Sequence, residues 1–189
     1  LELGRSNDQT DMTLTSFSAS IAGPISIYGS SITNSGTITS NSGDVLLEAD
    51  AMELNSTVSA PSGVITISPR TDNLEIDLGS PTSGKLSLVA AELNRLSAST
   101  VRIGALNGTN SATINITAAL TPAGTDTLAL RTSGSVIATT GSSLTVANLA
   151  IEASFVNLPA NNSVSSGLAL SASGGTLTYN QISGSFTPR

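Results

Sequence analysis

The chain has 189 residues, among them 32 Ser, 24 Thr and 17 Gly, more than a third in all, against 39% hydrophobic, 3% aromatic and 11% charged residues, a net charge of -6, and no His, Cys or Trp. Leu, Ile, Val and Ala recur throughout, which excludes a disordered chain; the missing Cys and His exclude disulfides, Cys- or His-ligated zinc, thiol nucleophiles and imidazole catalysis. The cations Arg5, Arg70, Lys85, Arg95, Arg102, Arg131 and Arg189 are scattered, which argues against a nucleic-acid surface, and no apolar run is long enough to span a bilayer.

The opening LELGRSNDQTDM has no basic stretch followed by an apolar one and does not read as a signal peptide. Starting on Leu1, the chain reads as a mature or proteolytic product, or as a piece of something longer. Residues 1–20 are expected to form an N-terminal cap or connecting segment. Residues 21–189 are expected to form one domain, less regular at 89–124.

From Gly23 onward the chain repeats. Ser42-Gly43, Ser62-Gly63 and Ser83-Gly84 lie 20 and 21 residues apart, and Gly23 extends the series back by one step. Behind these glycines stand alternating apolar pairs: Ile25 and Ile27, Val45 and Leu47, Ile65 and Ile67, Leu86 and Leu88. Ile32 and Met52 recur in a second part of each copy, and Ile38, Val58 and Leu78 in a third. The pattern returns at Leu128 with Leu130, Leu149 with Ile151, and Leu168 with Leu170. Alternation over three to five residues, bounded by Gly, Ser, Asn and Asp, predicts short strands and corners. Three strands of about 17 Å plus their corners consume a period of about twenty residues. The pattern therefore predicts a parallel β-solenoid, whose coils cannot stand alone but bury a continuous aliphatic column when stacked about 4.8 Å apart. One segment departs from it: Val89, Leu93 and Leu96 fall at helical spacing, which predicts a short helical insertion near 89–96. Glu92 and Arg95 are expected to pair on its outer face.

Chemistry-bearing residues are few. Asp44, Glu48, Asp50 and Glu53 form one acidic group, and Asp72, Glu75 and Asp77 another. They read as a solvated acidic face; Arg70 with Asp72 and Asp77 makes the best candidate for a polysaccharide-cleaving site. No EF-hand or calcium-binding nonapeptide pattern occurs, and Lys85, the single lysine, has no SxxK pattern around it. The hydroxyls read as turn and outward strand positions; Thr37-Ile38-Thr39 suggests an ice-binding face but does not recur at every copy. Asn34, Asn55, Asn73, Asn107, Asn110 and Asn162 are expected at turns, with hydrogen bonds between coils. Glycosylation sequons begin at Asn55, Asn107, Asn115 and Asn161.

The stretch GVITISPRTDNLEIDLGS (63–80), then LSLVAAELNRLSASTVRIGA (86–105) and AALTPAGTDTLALRTSGSVIATTGSSLTVANLAIEA (118–153), resembles the rod region of filamentous haemagglutinin-like bacterial exoproteins of the two-partner secretion type. The resemblance covers roughly residues 20–185. It implies a right-handed parallel β-helix, export across the outer membrane of a Gram-negative bacterium through a dedicated transporter, and a role in adhesion, aggregation or biofilm. The export module of that family carries NPNG-like motifs, and this chain has no Asn-Pro, so it would be shaft material, with no binding residue to carry over. A chain without Cys suits export in an unfolded state through an oxidising periplasm.

The sequence is thus expected to form an all-β, right-handed parallel β-helix acting as a structural or adhesive segment of a secreted surface protein, without catalysis, cofactor or metal. Its expected partners are host or bacterial surface glycans or proteins, identical chains, and the transporter during export, and not nucleic acid. Two other readings stand beside it: a self-assembling extracellular fibre or sheath subunit, and a polysaccharide-cleaving β-helix enzyme.

Overall fold

A computed structural model describes residues 1–5, 7, 10–15, 18–104 and 112–183. Asn107 and Asn110 lie outside the described residues, so the expectations for those two asparagines have no structural counterpart.

Each of the first coils turns through three strands. The first contains β1 (Glu2–Leu3), β2 (Met12–Leu14) and β3 (Ala19–Ile21); the second, β4 (Ile25–Tyr28), β5 (Ser31–Asn34) and β6 (Ile38–Ser40); the third, β7 (Val45–Glu48), β8 (Ala51–Leu54) and the start of β9 (Val58–Ser68). The described part of 1–20, expected as a cap or connecting segment, carries β1, β2 and most of β3. Every strand pairs in parallel with its counterpart one coil away. On the first wall Ile25 meets Val45 and Val45 meets Ile65; on the second Ile32 meets Met52; on the third Ile38 meets Val58. The alternation Ile25–Ile27 and Val45–Leu47 turns those side chains into the column, where all four are at most 1% exposed. Parallel rungs of this kind, branched or long aliphatic on the inside and Ser, Thr or Glu on the outside, satisfy each other's backbone groups while burying the column.

The middle of the chain breaks the simple order. After β9 the chain crosses to the second wall as β10 (Ile76–Gly79), doubles back through residues 80–85, and lays β11 (Leu86–Val89) beside it in parallel, Ile76 against Leu86 and Leu78 against Leu88. A four-residue helix α1 (Ala90–Leu93) leads into β12 (Leu96–Gly104). Along the second wall the order is therefore β8, β11, β10, inverted with respect to the sequence.

Two expectations are corrected by this. Leu86 and Leu88 do not continue the column of Ile65 and Ile67; Val101 and Ile103 do. Nor does Leu78 continue Ile38 and Val58, because Leu96 takes that place. All three walls present the same apolar alternation behind a small-residue corner, so a spacing of 21 residues does not specify which wall a strand joins. The reversal has its own local chemistry: Asn73 at φ 62 in the approach to β10, then Gly79 at φ 121 and Gly84 at φ 75 on either side of Pro81. These backbone conformations are the ones that glycine, and more rarely asparagine, adopt without steric cost.

The remaining strands are β13 (Ile114–Ile116), β14 (Ala119–Leu120), β15 (Thr125–Arg131), β16 (Ser135–Ala138), β17 (Ser143–Ala153), β18 (Phe155–Ala172) and β19 (Leu177–Ser183). Regular stacking resumes: Leu128, Leu149 and Leu168 are in register, as are Leu130, Ile151 and Leu170. The first wall then runs β1, β4, β7, β9, β12, β15, β17, β18, a ladder of about 35 Å at a strand spacing of about 4.8 Å. Among the described residues the exposed large apolar side chains are Leu1 (46%), Leu177 (42%) and Ile182 (59%), in the first and last parts of the ladder.

Candidate functional site

Three carboxylates, Asp11, Asp44 and Asp50, act as corner braces. Asp11 Oδ1 accepts from the hydroxyls of Ser30 (2.6 Å) and Ser31 (2.8 Å), one coil on. At the same corner another coil along, Asp50 accepts from the backbone N–H groups of Arg70 (2.9 Å) and Thr71 (2.7 Å), and from the Thr71 hydroxyl (2.5 Å). Asp44 Oδ1 accepts from the N–H of Val64 at 2.8 Å. Each of these three reaches a corner about one coil length further along the chain. The hydroxyl donors of Ser30, then Ser31, hold the Asp11 carboxyl below its usual range. Burial pushes Glu48 upward, against the attraction of Arg70.

The candidate site residues are distributed between two places. Arg70 and Asp72 lie on the loop from β9 to β10, Arg70 half-buried with its N–H on Asp50 and Asp72 exposed. Asp77 sits on β10, only 3% exposed, with its Oδ1 3.2 Å from Lys85 Nζ and 2.8 Å from Asn115 Nδ2. Glu75 completes that group: Lys85 Nζ is 2.8 Å from its Oε2, and Asn115 Nδ2 reaches the same oxygen at 3.3 Å. The hydrogen bond to Glu75, with help from Asp77, holds the Lys85 amine charged to higher pH than usual, so it serves as a cation and not as a base. Sequence spacing gives no hint of the Asp77–Asn115 contact, which spans 38 residues and crosses from β10 to the next rung, β13. Among the described residues, no three acidic side chains gather in a way that could hold a metal ion.

Glu92 and Arg95 do not pair on an outer face, contrary to expectation. β2, β5 and β8 form a sheet of their own, and no ladder joins β8 to β11. At this seam Glu92, 8% exposed, accepts from the N–H of Leu54 at 2.9 Å through one oxygen and from the N–H of Val89 at 2.8 Å through the other. Arg95 Nη1 donates to the Leu54 carbonyl at 2.5 Å. Two side chains of the helical insertion thus supply the hydrogen bonds that a continuing ladder would otherwise give Leu54.

Asparagines also bridge coils, but two of them do so from inside. Asn34 and Asn162 are fully buried. Asn34 Nδ2 donates to the carbonyls of Gly36 and Ser56; Asn162 accepts from the Leu144 N–H and donates to the carbonyls of Leu158, Ala160 and Asn180. Each joins its corner to the backbone of a neighbouring coil. The sequon residues Asn55 and Asn161 are exposed, whereas Asn115 is engaged with Glu75 and Asp77.

A concavity on the outside of the first wall forms an open trough of about 540 Å³, floored by Ala129, Ala150 and Ala169 and edged by Arg102, Arg131 and Glu152. Composition alone did not single these residues out; their signal is an outward row of alanines that becomes visible only once the strand register is known. In comparisons with known proteins, no family model, no curated protein and no solved structure matched the chain. The fold stands as a parallel β-solenoid repeat protein.

Proposed function

We propose that this solenoid is a structural and adhesive rod segment of a large secreted bacterial surface protein of the filamentous haemagglutinin-like kind, exported through an outer-membrane transporter and acting in adhesion, aggregation or biofilm. The observation that carries the reading is the uninterrupted first-wall ladder from β1 to β18. Each coil buries its apolar face only against its neighbours, so the chain is a stiff spacer whose length scales with the number of coils. Its outside, rich in Ser, Thr and Asn, is suited to polar surface partners such as glycans. The polar side chains that do converge are engaged in bracing corners and the seam, which fits a scaffold better than a catalyst. Antibody against the purified chain should label intact producing cells; labelling only after permeabilisation overturns the reading.

A second reading, a self-assembling fibre or sheath subunit, is favoured by Leu1 at one end and Leu177 and Ile182 at the other. Uncovered ends of a parallel ladder offer unpaired strand edges to a further chain. Electron microscopy at high concentration separates the two, since end-to-end growth gives filaments and the rod reading gives short particles of uniform length.

A further inference from the structure

From the outer face of the first wall we infer that two copies of this chain pair face to face, with their rod axes antiparallel. The relevant strands are β12, β15, β17 and β18, and their register fixes three rows on this wall. In the middle row Arg102 is followed by Ala129, Ala150 and Ala169; in the row beside it Gly104 is followed by Arg131, Glu152 and Ser171. On the other side Thr100 is followed by Thr127, Asn148 and Gly167.

A two-fold axis parallel to the strands, midway between β15 and β17, maps each row onto itself in reverse order. The consequence is complementarity in every row. Arg131 comes opposite Glu152 of the second copy, and Glu152 opposite Arg131. Ala129 comes opposite Ala150, so the two sheets can approach closely at the centre. The one bulky member of the middle row, Arg102, comes opposite Ala169, where the trough has room for its side chain. In the remaining row Thr100 faces Gly167 and Thr127 faces Asn148, while Gly104 is buried and puts no side chain opposite Ser171. An isologous interface requires this kind of self-complementary patch.

Within one chain Arg131 Nε and Glu152 Oε2 are already 2.8 Å apart, with Glu152 59% exposed. Pairing would merge two such ion pairs into an alternating four-charge cluster, which sets the register and excludes the like-charged arrangement. Four strands about 4.8 Å apart and five residues wide make a footprint of roughly 300 Å² per copy, which places the contact in the weak, concentration-dependent class. The inference is independent of the rod reading: a rod segment that remains monomeric is still a rod segment.

Sedimentation velocity of the full chain tests it. Self-association is expected at roughly 0.1–1 mM. Ala150→Arg, which puts bulk at the centre of the face, should abolish it. Arg131→Glu alone and Glu152→Arg alone should each weaken it by about tenfold or more, and the double exchange should restore it, because the pairing is reciprocal. Circular dichroism of each variant confirms that the ladder is intact, and Glu152→Arg, at an exposed position, serves if Ala150→Arg fails to fold. A chain that stays monomeric at 1 mM overturns the inference, as does association indifferent to these changes. Binding of an anionic polysaccharide by a monomeric chain, lost in Ala150→Arg, also overturns it and assigns the trough to a glycan.

Discussion

Residues 25–60 and residues 69–96 are made of the same materials and stack in different ways. In the first region each coil follows the last, Ile25 under Val45 and Ile32 under Met52, and the corners are closed by short residues and by carboxylates reaching one coil on. In the second, two consecutive strands exchange places, β11 filling the position next to β8 while β10 lies beyond it. In the first region side chains brace corners of a ladder that is already continuous; the second needs side chains to complete it, Glu92 and Arg95 at Leu54 and the Glu75–Asp77–Lys85–Asn115 group across β10 and β13. A solenoid thus tolerates a departure from its period where specific polar side chains replace the backbone partners that are lost.

Truncation of the column is the strongest way to break the comparison. Leu47 in the regular region and Leu88 in the reversed one are both fully buried, so Leu47→Ala and Leu88→Ala should each cost about 2–5 kcal/mol in urea unfolding. Equal costs would mean that the reversal packs as well as the regular coils, whereas a Leu88→Ala cost below about 1 kcal/mol would show that β11 is not a true rung. Next in size is the seam. Glu92→Ala leaves the N–H groups of Leu54 and Val89 without their acceptor and should cost about 2–4 kcal/mol, with Glu92→Gln costing less because one oxygen remains. Hydrogen exchange should then quicken at Leu54 and Val89 but not at Ile27; uniform quickening would contradict a local role.

Gly84 sharpens the comparison at a smaller scale. Its φ is 75 and nothing lies within 4 Å of the place a Cβ would take, so Gly84→Ala meets backbone strain and no clash. The expected loss is about 1–2 kcal/mol; no loss in the urea midpoint would mean that the 80–85 turn relaxes freely.

The smallest effects are electrostatic and of opposite sign. Burial raises Glu48, so the unfolded chain releases this proton first, near pH 4.3, and the folded state loses stability as pH rises from there through the raised folded value. Glu48→Gln should therefore be more stable than the parent at pH 7 and equal to it at pH 3. Hydroxyl donors lower Asp11, and its contribution is present above about pH 3.9 and is lost as pH falls through the lower folded value. Asp11→Asn should flatten the acid limb of the melting-temperature profile, and a limb unchanged in shape would exclude the Ser30 and Ser31 contacts.

Much of the fold was legible because its signals are short-range. Alternation at Ile25–Ile27, Val45–Leu47 and Ile65–Ile67 names strands, and a constant period names a solenoid. Leu86 and Leu88 misled because the same alternation serves every wall. The spacing of Val89, Leu93 and Leu96 marked the helix, yet the partner of Glu92 lies 38 residues back and no local rule reaches it. The acidic group around Asp44 and Asp50 was legible, but not its bracing of corners, because the offset of about one coil length has structural meaning only after the coils are stacked.

By itself, then, the sequence determined a small-residue corner, an aliphatic column and a twenty-residue coil that must stack to bury its apolar side. Tertiary structure alone decided the order of strands on the second wall, the side chains that close its seam, and the alignment of Arg102, Ala129, Ala150 and Ala169 into one outward row. The reason is physical: alternation and turn chemistry act within a few residues, whereas which strand edge stays open, and which outward residues become neighbours, depends on contacts between segments tens of residues apart.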